Sequence, residues 1–250
     1  MTAEIEIPMP ANGGTVENDS IVEISALTKK YEWKPALENI SLSLPRGRII
    51  GLLGANGAGK TTLIKILAGI MADYTGKVLI NGHAPGIYTK SIVSYLPDKT
   101  YLSSWMKISD TVALFDDFYY NFDRVKANEL LKRLGIDPNL KVTKLSKGTY
   151  EKVQLVLVMS RAADLYLLDE PIGGVDPAAR DVILDTILTN YSENSTVLLS
   201  TQLISDVERV FDSVILLQHG KIFLYDEVDV VREKYQKSID QLFREVFRCC

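Results

Sequence analysis

The octapeptide Gly54-Ala-Asn-Gly-Ala-Gly-Lys-Thr61 follows the apolar run Ile49-Ile-Gly-Leu-Leu53 without a break and leads into the helical run Thr62-Leu-Ile-Lys-Ile-Leu67. The order is a short buried strand, a glycine-rich turn and a helix, with the spacing G-x-x-x-x-G-K-[ST]. Gly54, Gly57 and Gly59 let the backbone curl so that the N–H groups around Ala55, Asn56 and Ala58 point at one centre, and the helix that follows adds its positive end. Lys60 can reach the outer phosphates of a nucleotide held there, and the Thr61 hydroxyl is a ligand for Mg²⁺. The stretch Gly54 to Thr62 is therefore read as a triphosphate cradle on a strand–loop–helix unit.

Outward from this unit the same alternation continues. Strand-length apolar runs stand at Val22–Leu27, Ile40–Leu44, Val78–Ile80, Ile92–Leu96, Tyr166–Leu168, Thr196–Ser200 and Val214–Leu217, and several are apolar nearly throughout, as strands covered on both faces must be. Helices are expected after Lys60, Pro177 and Leu203, which makes the class α/β. From Ser109 to Gly135 the rhythm breaks. Ser109 or Asp110 can cap a helix Val112–Tyr120, and Asp123 can cap a helix Arg124–Leu134 that stops at Gly135, so a helical insertion interrupts the α/β core.

The 250 residues carry 28 Lys and Arg against 32 Asp and Glu, a net charge of −4, with no basic block to neutralise a run of phosphates. A nucleic-acid partner is not expected. No window approaches the roughly 18 uninterrupted apolar residues of a membrane span. Met1 to Ser20, with Glu4, Glu6, Glu17, Asp19, Pro8, Pro10 and Gly13–Gly14, lacks a basic start and an apolar stretch and reads as a loose tail on a cytosolic chain. The two cysteines, Cys249 and Cys250, are the last two residues, so no disulfide framework is expected. They read as exposed thiols or as acylation sites near a membrane.

A second chemical element is Leu165-Tyr-Leu-Leu-Asp169-Glu170. A strand buried on both faces tolerates charge only at its end. There Asp169 can hold a metal shell through water, and Glu170 can orient or deprotonate an attacking water.

Between the two elements lies Leu145-Ser146-Lys147-Gly148-Thr149, its Ser146 placed 23 residues before Asp169. By itself it is a Ser-capped helix start. In this order, however, the three elements resemble the ATP-binding cassette (ABC) nucleotide-binding domains, over roughly Ile21 to Tyr235. The resemblance implies a P-loop NTPase core with a mainly parallel sheet, an N-terminal antiparallel β part and an inserted α-helical subdomain. It divides the chain into a tail (1–20), a nucleotide-binding domain (21–236, with the helical subdomain at about 98–153) and a C-terminal helical extension (237–250).

Further positions carry over from the family. The segment Leu145 to Thr149 corresponds to the signature usually written Leu-Ser-Gly-Gly-Gln, which contacts the γ-phosphate of a nucleotide bound to a second cassette; Ser146 and Gly148 match, Lys147 and Thr149 depart. Tyr31 resembles the aromatic that stacks on adenine. Asp176, in Gly173-Gly-Val-Asp176-Pro177, is similar to the loop through which two cassettes sense each other. Asp98, in Tyr95-Leu-Pro-Asp98, stands where the family usually has a Gln that touches Mg²⁺ and the attacking water. Gln202, in Ser200-Thr201-Gln202, stands where it usually has a His that donates to the γ-phosphate, so turnover is expected to be slow. Neither His83 nor His219, both in turn contexts, can substitute.

The resemblance thus implies an ATPase that binds ATP and Mg²⁺, pairs with a second ABC subunit and drives integral membrane transporter subunits from the cytoplasmic, inner face of the membrane. The runs around Lys147 and Asp176 are similar to exporter-like bacterial cassettes encoded apart from their membrane subunits, among them the Ytr type. Two other readings stay open: a non-transport cassette protein, although the single cassette, short insertion and negative charge speak against it, and a binding-only, ATP-gated clamp, which Gln202 favours.

Overall fold

The computed structural model describes residues 20–99, 101–173 and 175–248; the expected tail up to Asp19 and both cysteines lie outside them. The chain opens with β1 (Ser20–Tyr31) and β2 (Lys34–Pro45), then β3 (Ile49–Leu53), α1 (Lys60–Leu67), β4 (Thr75–Ile80), α2 (Ile87–Ile92) and β5 (Val93–Leu96). The insertion supplies α3 (Ile108–Phe118), α4 (Arg124–Arg133) and α5 (Lys147–Met159). After it come β6 (Leu165–Asp169), α6 (Pro177–Asn190), β7 (Thr196–Thr201), α7 (Ile204–Val207), β8 (Ser213–Gln218), β9 (Lys221–Glu227), α8 (Val228–Tyr235) and α9 (Ile239–Arg248).

Every residue of β3, β6 and β7 is buried, which is why these strands carry almost no polar side chain before their last residues. They are central in a six-stranded sheet of order β5-β6-β7-β3-β8-β9, parallel except for β9. A separate antiparallel sheet, β2-β1-β4, covers one side. One apolar core joins that small sheet to α1 and the inward side of the large sheet, and a second joins the opposite side to α6 and to α9 through Ile239 and Leu242.

The insertion has its own core around Ile108, Val112, Phe122 and Leu130. Helix α5 ties it to the rest: Val153, Val156 and Leu157 enter that core, whereas Leu155, Val158 and Met159 enter the second large one. A helix apolar all round over this stretch is buried all round.

The cap of α4 is as the sequence reads, with the Asp123 carboxylate accepting from the Lys126 N–H at 2.9 Å, and Gly135 ends the helix at φ +66°. For α3 the sequence misplaces the start. The cap is Lys107, and Asp110, three residues in, accepts from the Lys107 N–H at 3.2 Å; a carboxylate is equally suited to the first turn, where it faces the positive helix end. Helix α7 is a single turn, and Ile92 closes α2 instead of opening β5.

Candidate active site

The carboxyl ends of the parallel strands meet on one edge of the sheet, where an α/β fold leaves room for a ligand. Gly54 follows β3, Asp98 follows β5, Asp169 ends β6 with Glu170 directly after it, and Gln202 follows β7. A cleft of about 570 Å³ opens there, lined by Tyr31, Ala36, Ala55 to Thr62, Asp98, Lys147, Glu170, Gly173 and Gln202.

The glycines that shape the loop are required by close approaches. A Cβ on Gly54 would stand 2.5 Å from the Leu217 carbonyl oxygen, and one on Gly59, at φ +111°, 2.4 Å from that of Ala36. Gly59 is the cap of α1 and has no side chain to cover the first amides, so the helix start faces the cleft bare.

Lys60 is buried, and its ammonium donates to the Gly54 carbonyl at 2.7 Å while standing 3.3 Å from Glu170 Oε1. Asp169 is held from two sides: Thr61 Oγ1 donates to its Oδ1 at 3.2 Å, and Ser200 Oγ donates to the same oxygen at 2.7 Å. Its Oδ2 is buried with no hydrogen-bond partner among the described residues. That spare oxygen, beside the Thr61 hydroxyl, is a donor set suited to a hydrated divalent cation. Glu170 sits in a left-handed conformation, φ +52°, held by its N–H donating to Ser200 O at 3.1 Å and by the Gly173 N–H donating back to its carbonyl at 3.0 Å. Burial pushes both carboxyls above the usual range. The Ser200 and Thr61 hydroxyls oppose this at Asp169, and the Lys60 ammonium, with a smaller pull from the Gln202 backbone amide, opposes it at Glu170.

Tyr31 borders the cleft half-exposed; its hydroxyl reaches Met71 Sδ at 3.4 Å, and the Lys29 ammonium lies 5.0 Å from the ring centre. One face of a ring so held is available for stacking.

The fold thus gathers Tyr31, the loop, Asp98, Glu170 and Gln202 around one space, with Gly54 and Asp169 beneath it. Of the segment Leu145 to Thr149 only Lys147 lines this cleft; Ser146 caps α5, its Oγ accepting from the Thr149 N–H at 3.2 Å. Expected to face a second cassette, the segment also lends its long cationic side chain to this chain's own cleft. Asp176 is exposed before α6 and does not line it. The residue the sequence reading passed over is Ser200. It is registered opposite Asp169 on the neighbouring strand, and a hydroxyl near the end of an otherwise apolar strand is the signal that marks it.

The model of the ABC transporter family matches residues 37–173. The chain belongs to this family, as an ATP-binding subunit. An uncharacterized ABC transporter ATP-binding protein of Methanocaldococcus jannaschii is 33% identical over 222 residues, covering 85% of this chain and 80% of that protein. The ABC transporter ATP-binding protein YtrB of Bacillus subtilis is 29% identical, covering 87% and 75%. A solved structure of an ATP-binding subunit of an ABC transporter superposes with a TM-score of 0.80 at 27% identity, over 90% of this chain and 99% of that one. As an ABC ATPase, the chain gives its cleft a definite test. Lys60→Ala removes the buried cation beside the glycine loop; a charge-assisted contact from such a cation to a phosphate is worth about 1.5–3 kcal/mol, so ATP affinity in a nucleotide titration is expected to fall at least about tenfold.

Proposed function

We propose that this cassette is the ATP-hydrolysing subunit of a transporter. In this reading two cassettes close around two ATP molecules, each pairing its phosphate loop with the other's Leu145–Thr149 segment and Asp176 loop, and the closure drives separately encoded membrane subunits. The observation that carries the hydrolytic part is the 3.3 Å contact between Lys60 and Glu170 in one cleft: the candidate phosphate-binding cation and the candidate base border the same space.

The contact suggests an order of events. The Lys60 ammonium donates to the Gly54 carbonyl and pairs with the Glu170 carboxylate. Phosphate oxygens in the cradle compete for that ammonium and release Glu170. The freed carboxylate accepts a proton from a water whose oxygen bonds to the γ-phosphorus as the P–O bond to the β-phosphate breaks; ADP leaves with the bridging oxygen, the water oxygen stays in the inorganic phosphate, and Glu170 gives its proton back to that phosphate or to solvent. Gln202 donates to the γ-phosphate through its neutral amide, and Tyr31 takes the adenine. Thr61, Asp169 through water and Asp98 would hold Mg²⁺, which when bound neutralises charge on the β- and γ-phosphates.

For the membrane side, a second cavity of about 580 Å³ lies between the core and the insertion. Ile70, Pro97, Tyr101, Phe115 and Val158 give it an apolar floor; Lys65, Lys90 and Arg161 border it, and among the described residues no carboxylate lines it. This chemistry fits an apolar cytoplasmic segment of a membrane subunit that carries an acidic residue. Among the described residues no helix is long and apolar enough to cross a membrane, so the cassette would reach the inner face of the membrane through that contact.

Three outcomes are expected. Glu170→Gln keeps ATP binding and ATP-driven dimerisation, followed by light scattering, while hydrolysis falls about 10²- to 10⁴-fold; unchanged hydrolysis removes the base assignment. Gln202→His supplies a stiffer, ionisable donor and raises turnover at least about tenfold with little change in affinity, whereas an inert His variant means that Gln202 already does the work. Ile70→Glu places a charge on the apolar floor and lowers co-purification with the membrane subunit about tenfold or more, with ATP affinity intact.

A further inference from the structure

Arg180, in the first turn of α6, does not line the cleft, and no step described above uses it. Its guanidinium nevertheless joins segments that reach the cleft from different directions. Nε donates to the Val175 carbonyl at 3.1 Å, and Nη1 donates to Asp206 Oδ2 at 2.5 Å. Its own N–H donates to the Asp176 carbonyl at 3.1 Å.

The two side-chain partners belong to different machinery. Val175 is buried beside Asp176 and packs near the start of α5, since a Cβ on Gly148 would meet Val175 Cγ1 at 3.8 Å. Asp206 lies on α7, four residues after Gln202. Ile204 and Val207 of that turn are buried, and the Leu203 N–H donates to Thr201 Oγ1 at 2.9 Å. The turn is therefore packed from Thr201 onward, and a shift of Asp206 is transmitted to Gln202. The neighbouring Arg209–Asp181 pair at 3.1 Å also bridges α6 to this region, but both side chains are about 70% exposed, and such pairs hold little. Arg180 and Asp206 are only 23% and 34% exposed.

We propose that Arg180 is a positioning residue that makes the place of Gln202 in this chain's own cleft depend on the Asp176 loop, and so on the presence of a second cassette against that loop. The inference rests on the reading of Gln202 as a γ-phosphate contact and Asp176 as a dimer contact. A planar guanidinium suits the task because it donates in two directions at fixed angles; an ammonium can replace one contact and not the geometry of both.

The test uses the full chain at concentrations where ATP drives dimerisation, with ATP affinity, kcat and thermal midpoint measured for Arg180→Gln, Arg180→Lys, Asp206→Asn and the Arg180→Gln/Asp206→Asn double variant. The expected result is a loss in kcat of about tenfold for Arg180→Gln and for Asp206→Asn, no further loss in the double variant, and ATP affinity within about twofold of the parent in all of them. Arg180→Lys is expected to keep the parent's thermal midpoint without recovering kcat. Parental turnover in Arg180→Gln overturns the proposal. So does a joint fall of affinity, midpoint and rate that Lys restores in full, because that pattern describes a stabilising contact alone. Glu170→Gln, run alongside, separates the two levels: if it hydrolyses ATP at the parental rate, the reading of the cleft has failed and not the role of Arg180.

Discussion

A strand covered on both faces cannot carry a charge along its length, and that constraint arranges everything else in this chain. β3, β6 and β7 are buried at each residue, and the one carboxylate they carry, Asp169, stands at a strand end. A bare carboxylate in the sheet interior would cost several kcal/mol. At the strand end the hydroxyls of Thr61 and Ser200 share one oxygen of Asp169 and offset part of the burial that raises its carboxyl, and its other oxygen has no hydrogen-bond partner among the described residues. The register that sets Asp169 beside Ser200 is the same register that packs Leu167 against Leu198 beneath them. Stability and site geometry are consequences of one strand alignment.

The Lys60–Glu170 pair shows how such a site stays ready without being fixed. At 3.3 Å the Coulomb attraction is about 5 kcal/mol for an effective dielectric constant of about 20, and much of it is offset by removing two charges from water. The net hold is small, so a polyanion entering the loop can take the ammonium at little cost. The bare amides of α1 favour the same exchange, since they attract phosphate and repel nothing. Burial meanwhile holds the Glu170 carboxyl above its usual range, which makes it a better proton acceptor than an exposed Glu once the ammonium has moved.

Where a local rule has one outcome, the fold was legible in the sequence. The β3 boundaries, the glycine-rich turn from Gly54 to Gly59, the Asp123 cap and the stop at Gly135 each follow from a residue type that fits a single conformation. Misreadings arose where two physical solutions compete. Asp110 suits both a cap and a first-turn carboxylate, and the contact of α3 with Leu140 and Pro138, whose carbonyls accept from Ile108 and Ser109, decides for the second. β9 was not recognised because Lys221-Ile-Phe-Leu-Tyr-Asp-Glu is only half-covered at the sheet edge and lacks the unbroken burial of its neighbours. The turn His219-Gly220, with both residues at positive φ, was its available sign. Ser200 and Lys147 were harder, because each acts across a strand pair or an element boundary, and distance in space is not written in spacing along one segment.

The helical insertion joins the two cavities mechanically. α5 sends Val153 and Leu157 into the insertion's core and Leu155 and Met159 into the main one, so the two bodies share a helix and cannot drift apart without opening a packed interface. The junction at the end of β5 is narrower still: Pro97 lines the apolar cavity and Asp98, the next residue, lines the nucleotide cleft. On the other side of that cavity Arg161 is buried with no carboxylate partner among the described residues; it donates to the carbonyls of Lys90, Ser91 and Val93 and lies 3.9 Å from the ring centre of Tyr119. A charge balanced only by dipoles and a ring face pins the start of β5 to the insertion through several short contacts at once. β5 is thereby held at its beginning by Arg161, and the two residues that follow its end border one cavity each.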